Sequence, residues 1–181
     1  CIGYDPEARE FIQYTRHSLM GSAPVPGSIP RLPVAWYPPR LPGRPDLRNM
    51  RRVFYTHSPD FIHWSDPFPV VVPDDERDAI AEAHYGMSVF GVGRMRIGTL
   101  GVFRTTDDEM DVRLLFSRDG IHWTPADRGI PFLCPRGPGY WDAHMVSMVS
   151  PPVRMGREWW FYHGGSSCHH DYWMPGKEAL E

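Results

Sequence analysis

The sequence predicts an all-β chain assembled from four-stranded antiparallel β-propeller blades. Three observations predict it. Residues 58–65 read SPDFIHWS and residues 117–124 read SRDGIHWT, so Ser, Asp, Ile, His and Trp recur 59 positions apart. The correspondence runs past the motif: at the same offset Val53 answers Val112, Ser88 answers Ser147, and Met87 and Val89 answer Val146 and Met148. Between these marks lie short alternating apolar runs and tight turns, and self-similarity at such a period reads as propeller blades. The 17 Gly and 20 Pro among 181 residues, with 13% aromatics, suit a turn-rich packed β protein.

The first blade spans 1–66. Residues 1–5 and 10–16 make a hairpin around Pro6, and 52–58 and 62–65 supply its third and fourth strands. Between its second and third strands lies 21–49, too proline-rich for strand or helix and far longer than an ordinary connection. The second blade spans 83–130. Its inner strand, 85–90, alternates large and small side chains, as strands crowded around a central channel must. The chain turns at 91–94 into 95–104, loops over 105–110 and continues through 112–117. An Asp119-Gly120 turn then opens a short outer strand at 121–124. A half blade at 142–171 offers strands at 144–153 and 158–164. The total is about two and a half blades. A chain that begins at Cys1 and stops inside a blade is expected to be a piece of a longer protein.

The formal charge of −3 and pI near 6.3 give no electrostatic case for nucleic acid or an anionic membrane as partner. No apolar run approaches the roughly 20 residues of a membrane span. Three cysteines are too few and too odd for a disulfide framework, and they assign no compartment.

Successive connections of an up-and-down blade alternate between the two faces of the disc. The starts of inner strands and the loops between second and third strands share the ligand-binding mouth. The repeated Ser-x-Asp-x-Ile-His-Trp stands on the other face. Asp60 and Asp119 are expected to accept hydrogen bonds from their own turns, and Trp64 and Trp123 to wedge between blades.

At the mouth, Glu82 and Asp142 precede successive inner strands and lie 60 residues apart. Two carboxyl groups converging on one pocket are what acid/base cleavage of a glycosidic bond requires; the plainer reading is a pair of caps or rim ion pairs. Arg16, Arg104 and His163 end the second strands on the same face. With Trp141, His144 and His170 they suit a polyhydroxylated ligand, rings stacking on sugar faces and charged donors meeting hydroxyls. Cys168-His-His-Asp171 lacks the usual zinc spacings, so no metal site is assigned. No cofactor is expected; the one addition the architecture leaves room for is a calcium ion at the propeller axis. The insert 21–49 is expected to form a lid over the mouth.

The Ser-x-Asp-x-Ile-His-Trp repeats, Tyr85-Gly-Met-Ser-Val-Phe90, the Trp141-Asp142 pair before an inner strand and Trp160-Phe-Tyr-His-Gly-Gly165 resemble the five-bladed propeller proteins described as glycosyl hydrolase-like. These are related to glycoside hydrolase families 32, 43 and 68. The resemblance implies a carbohydrate substrate and carboxylates near the starts of inner strands, with Glu82 in the position of the acid and Asp142 as a second carboxylate. The Trp-x-Asp-Pro and Arg-Asp-Pro motifs of family 32 are not visible. A carbohydrate-binding propeller without catalysis, and a partner-binding propeller using 21–49 as an arm, are the other two readings of this pattern.

Overall fold

The computed structural model describes residues 2–18, 51–72, 78, 82–127, 130–148 and 150–170. The insert 21–49, most of the acidic run 74–78 and Asp171 lie outside the described residues, and with them the expected lid.

Among the described residues all regular structure is β. Strands β1 (Ile2–Asp5), β2 (Glu10–Ser18), β3 (Arg51–Ser58) and β4 (Phe68–Val71) form an antiparallel sheet in chain order. Strands β5 (Glu82–Val92), β6 (Met95–Arg104), β7 (Glu109–Ser117) and β8 (Thr124–Pro125) repeat that meander. A final hairpin follows. Strand β9 (Met145–Ser147) pairs with β12 (Gly164–Ser166), and β10 (Val153–Met155) pairs with β11 (Glu158–Trp160). The hairpin joins the second sheet where Met145 lies parallel to Met110 of β7. The architecture is all-β and antiparallel save for that one bridge, and it is compatible with part of a propeller.

The 59-residue repeat is physical. Val53 and Val112 are each 0% exposed, at matching places on β3 and β7. The core sits between the two sheets: Tyr14, Val53 and Val71 of the first pack with Met87, Leu100, Val102 and Leu115 of the second. Trp123 closes one side of this core and meets Tyr14 edge-on, with ring centroids 5.8 Å apart. Val112, Val146 and Met148, with Leu133 against them, form a smaller core under β9.

The two repeated turns share one hydrogen-bond pattern. Asp60 Oδ1 accepts from the Ile62 and His63 amides at 2.9 and 2.8 Å, and Asp119 Oδ1 from the Ile121 and His122 amides at 2.8 Å each. His63 Nδ1 and His122 Nδ1 close on the second oxygen at 2.7 and 2.6 Å. These contacts hold both aspartates well below the usual carboxylate range. The indoles of Trp64 and Trp123 donate to the carbonyls of Phe61 and Gly120. One backbone position differs. Phe61 and Gly120 both have positive φ, 66° and 80°. At Gly120 the second turn packs on the first sheet, where the Tyr14 hydroxyl donates to the Gly120 carbonyl at 2.8 Å and a Cβ would stand 2.6 Å from that hydroxyl. Only glycine fits there, whereas the Phe61 ring is half exposed.

Four expected strands need correction. The fourth strands begin later than 62–65 and 121–124, at Phe68 and Thr124, because the aspartates engage the amides that a ladder would need. The expected strand 144–153 is interrupted, since β9 ends at Ser147 and β10 starts at Val153 after Pro151-Pro152. Proline lacks the ladder donor, and the pairing resumes with a shifted register. The partner strand 158–164 is split for the same reason into β11 and β12.

Candidate functional site

Four strand ends meet at one margin of the second sheet. Glu82 starts β5 opposite Arg104 at the end of β6, and Arg104 is in turn opposite Glu109 at the start of β7. His144, one residue before β9, accepts through its carbonyl from the Met110 amide at 3.1 Å. The alternation of strands thus brings Glu82, Arg104 and His144 together.

What joins them is a charged network. Arg113 grips Glu82 with two bonds, Nη2 to Oε1 at 2.6 Å and Nη1 to Oε2 at 3.1 Å. Its Nε reaches Asp111 Oδ1 at 3.2 Å. Arg104 holds the other Asp111 oxygen at 2.6 Å, Glu109 at 2.6 Å and Asp107 at 2.9 Å. Glu109 Oε1 then lies 3.9 Å from His144 Nδ1, and the His144 ring packs on His169 with centroids 3.8 Å apart. Four carboxylates face two guanidiniums, so the network carries surplus negative charge. Burial pushes the Asp111 carboxyl above its usual range, against the pull of both arginines.

Asp142 stands two residues before His144, buried at 3% exposure. Arg136 Nε donates to its Oδ1 at 2.7 Å; among the described residues its Oδ2 has no partner. Around it lies an aromatic platform. Trp141, 54% exposed, stacks on His163 with centroids 5.3 Å apart, and Arg136 lies over the Tyr140 ring at 4.4 Å. Gly165 makes this possible: a Cβ there would stand 2.5 Å from both Asp142 Cβ and Trp141 Cζ3.

Arg16 and His170 belong to a third group. The Arg16 guanidinium lies 4.4 Å from the Tyr85 ring centroid, and the Tyr85 hydroxyl meets His170 Nε2 at 2.8 Å. Tyr85 is three residues along β5 from Glu82.

Arg104 is placed at the margin as expected, yet its guanidinium is spoken for by three carboxylates. Arg113 and Asp111 were not anticipated. Their signal is a run of alternate charged positions, Glu109, Asp111 and Arg113, inside an otherwise apolar strand. Side chains two apart share a face, so Glu109 and Asp111 meet Arg104 at the end of β6 while Arg113 on the same face reaches across β6 to Glu82. Among the described residues no group of three or more His, Cys, Asp or Glu side chains is arranged to hold a metal ion. No protein-family model matches the chain, and no curated protein matches it.

Proposed function

We propose that the chain forms part of a five-bladed, glycoside hydrolase-like β-propeller, about two and a half blades of it, which binds carbohydrate at this margin and cleaves a glycosidic bond. The observation that carries the reading is the open Oδ2 of buried Asp142 beside the exposed Trp141 platform. A sugar ring stacked on Trp141 presents its linkage to a carboxylate oxygen that no donor among the described residues occupies. Asp142 is then the base or nucleophile, and Glu82 the general acid. For Glu82 to carry the proton, its two-bond pair with Arg113 must first give way, because a guanidinium beside it favours the ionised carboxylate. His163 and His144 line the same margin and meet sugar hydroxyls.

The test is turnover of aryl-glycosides and oligosaccharides by the full-length protein. Glu82→Gln and Asp142→Asn are each expected to lower turnover by about 100-fold or more while sugar binding persists. Unchanged turnover in Glu82→Gln removes it as the acid. A second reading, carbohydrate binding without cleavage, is favoured by the arginine that each carboxylate already holds. It predicts a wild-type protein that binds sugars and releases none.

A further inference from the structure

A cavity of about 180 Å³ lies between the two sheets, where β4 faces β6, β7 and β8. Eight of its eleven lining residues are apolar, among them Val71, Val102, Leu115 and Trp123, so its walls favour an apolar occupant. Val72, about half exposed, stands at its rim. The polar lining is Asp78, His84 and Arg113. Arg113 is held by Glu82 and Asp111, and Asp78 has a partner of its own.

His84 differs. It is 5% exposed, and its Nδ1 lies 3.5 Å from the Val71 carbonyl. A carbonyl only accepts, so the ring proton belongs on Nδ1 and Nε2 is left as a bare acceptor. Burial keeps the ring neutral at pH 7, and Nε2 then has no proton to give. Among the described residues no group donates to Nε2. A buried acceptor without a donor is costly, and a molecule in the cavity can supply one.

Size and charge narrow that molecule. A cavity of about 150 Å³ with aliphatic and aromatic walls accepts one benzene-sized ring. A charged ligand is disfavoured, because an anion would face the Nε2 lone pair and a cation the Arg113 guanidinium. We propose that this cavity between the sheets binds a small uncharged ring compound of the phenol class, whose hydroxyl donates to His84 Nε2 while its ring fills the apolar space beside Trp123. The site shares no lining residue with the Trp141 and Asp142 platform, and it stands independently of the carbohydrate reading.

The experiment is a ligand-observed NMR titration of the full-length protein with phenol and with toluene, which matches phenol in shape but carries no donor. Saturable phenol binding is expected. His84→Leu should lower the ratio of phenol to toluene affinity by about tenfold. His84→Gln, whose side-chain oxygen can accept in place of Nε2, should restore part of it. In the wild type the Nε2 nitrogen resonance of His84 should move with phenol far more than with toluene, a readout that needs no variant to fold. Absence of saturable phenol binding means that water fills the space, and it overturns the site. An affinity ratio unchanged in folded His84→Leu, or an Nε2 resonance indifferent to phenol, overturns it as well.

Discussion

Gly120→Ala tests the account of the repeated turn. The new Cβ would sit 2.6 Å from the Tyr14 hydroxyl oxygen and 2.9 Å from Arg96 Nη1, on a backbone with φ of 80°. The left-handed conformation alone costs about 1–2 kcal/mol for a residue with a Cβ. Tyr14 must also withdraw, losing its bond to the Gly120 carbonyl, about 0.5–1.5 kcal/mol more. The expected total is about 1.5–3.5 kcal/mol. The matching change in the first turn behaves differently. Phe61→Gly relieves a similar backbone penalty but gives up edge contacts to Phe11 and Trp64, effects that offset to within about 1 kcal/mol. Urea unfolding of the protein, followed by tryptophan fluorescence, measures both. A Tyr14→Phe background clears the oxygen, so Gly120→Ala there should cost only the backbone share. If Gly120→Ala costs no more than Phe61→Gly, or if Tyr14→Phe leaves its cost unchanged, the packing explanation is wrong.

Other changes report on other parts of the molecule. Burial holds the His84 imidazole down to about 4, with Asp78 and Glu82 favouring its charge and Arg52 opposing it. Because the folded value lies below the unfolded one near 6.5, the unfolded chain takes up its proton first as pH falls. Stability should therefore be level above about pH 7 and drop by about 3 kcal/mol between pH 6.5 and 4, a slope that His84→Leu removes from urea midpoints. In Asp119→Asn the lost turn contacts should destabilise the protein at neutral pH. The folded carboxyl is depressed, so its contribution is present above about pH 4 and fades as acid protonates it, and the gap to wild type should narrow towards pH 2. Arg113→Met strands Glu82 as a buried charge, leaves Asp111 to Arg104 alone, and should cost about 3–5 kcal/mol in chemical denaturation, with Arg113→Lys recovering part of it. Gly165→Ala should displace Trp141 and the buried Asp142, lowering the thermal midpoint and weakening sugar binding measured by tryptophan quenching on the folded protein; intact binding would detach the platform from the ligand.

The repeat was legible because burial repeats with it: Val53 and Val112 recur in sequence and are equally enclosed. The Asp turns were legible for a similar reason, since a side chain that caps its own loop does so without distant partners. The fourth strands were not. Ile62 and Ile121 look like strand residues, but their amides are taken by the preceding aspartates and Ile62 is 76% exposed. Glu82 and Asp142 stood out by their place before inner strands. Arg113 did not, because its partner Glu82 lies two strands away, across β6, and that alignment is a property of the assembled sheet. Arg104 shows the converse: its position followed from strand order, while its three carboxylate partners followed only from loop closure at 105–108.

The outer edge of β7 is covered in pieces: β8 near residues 115–116, Leu133 at Val112, and Met145 with the His144 carbonyl at Met110. Each cover belongs to a separate stretch of chain, so a local opening uncovers only a couple of amides at a time. An intruding polypeptide needs a longer continuous template to add itself as a strand. Piecewise closure thus shields this edge of β7 from cross-chain aggregation.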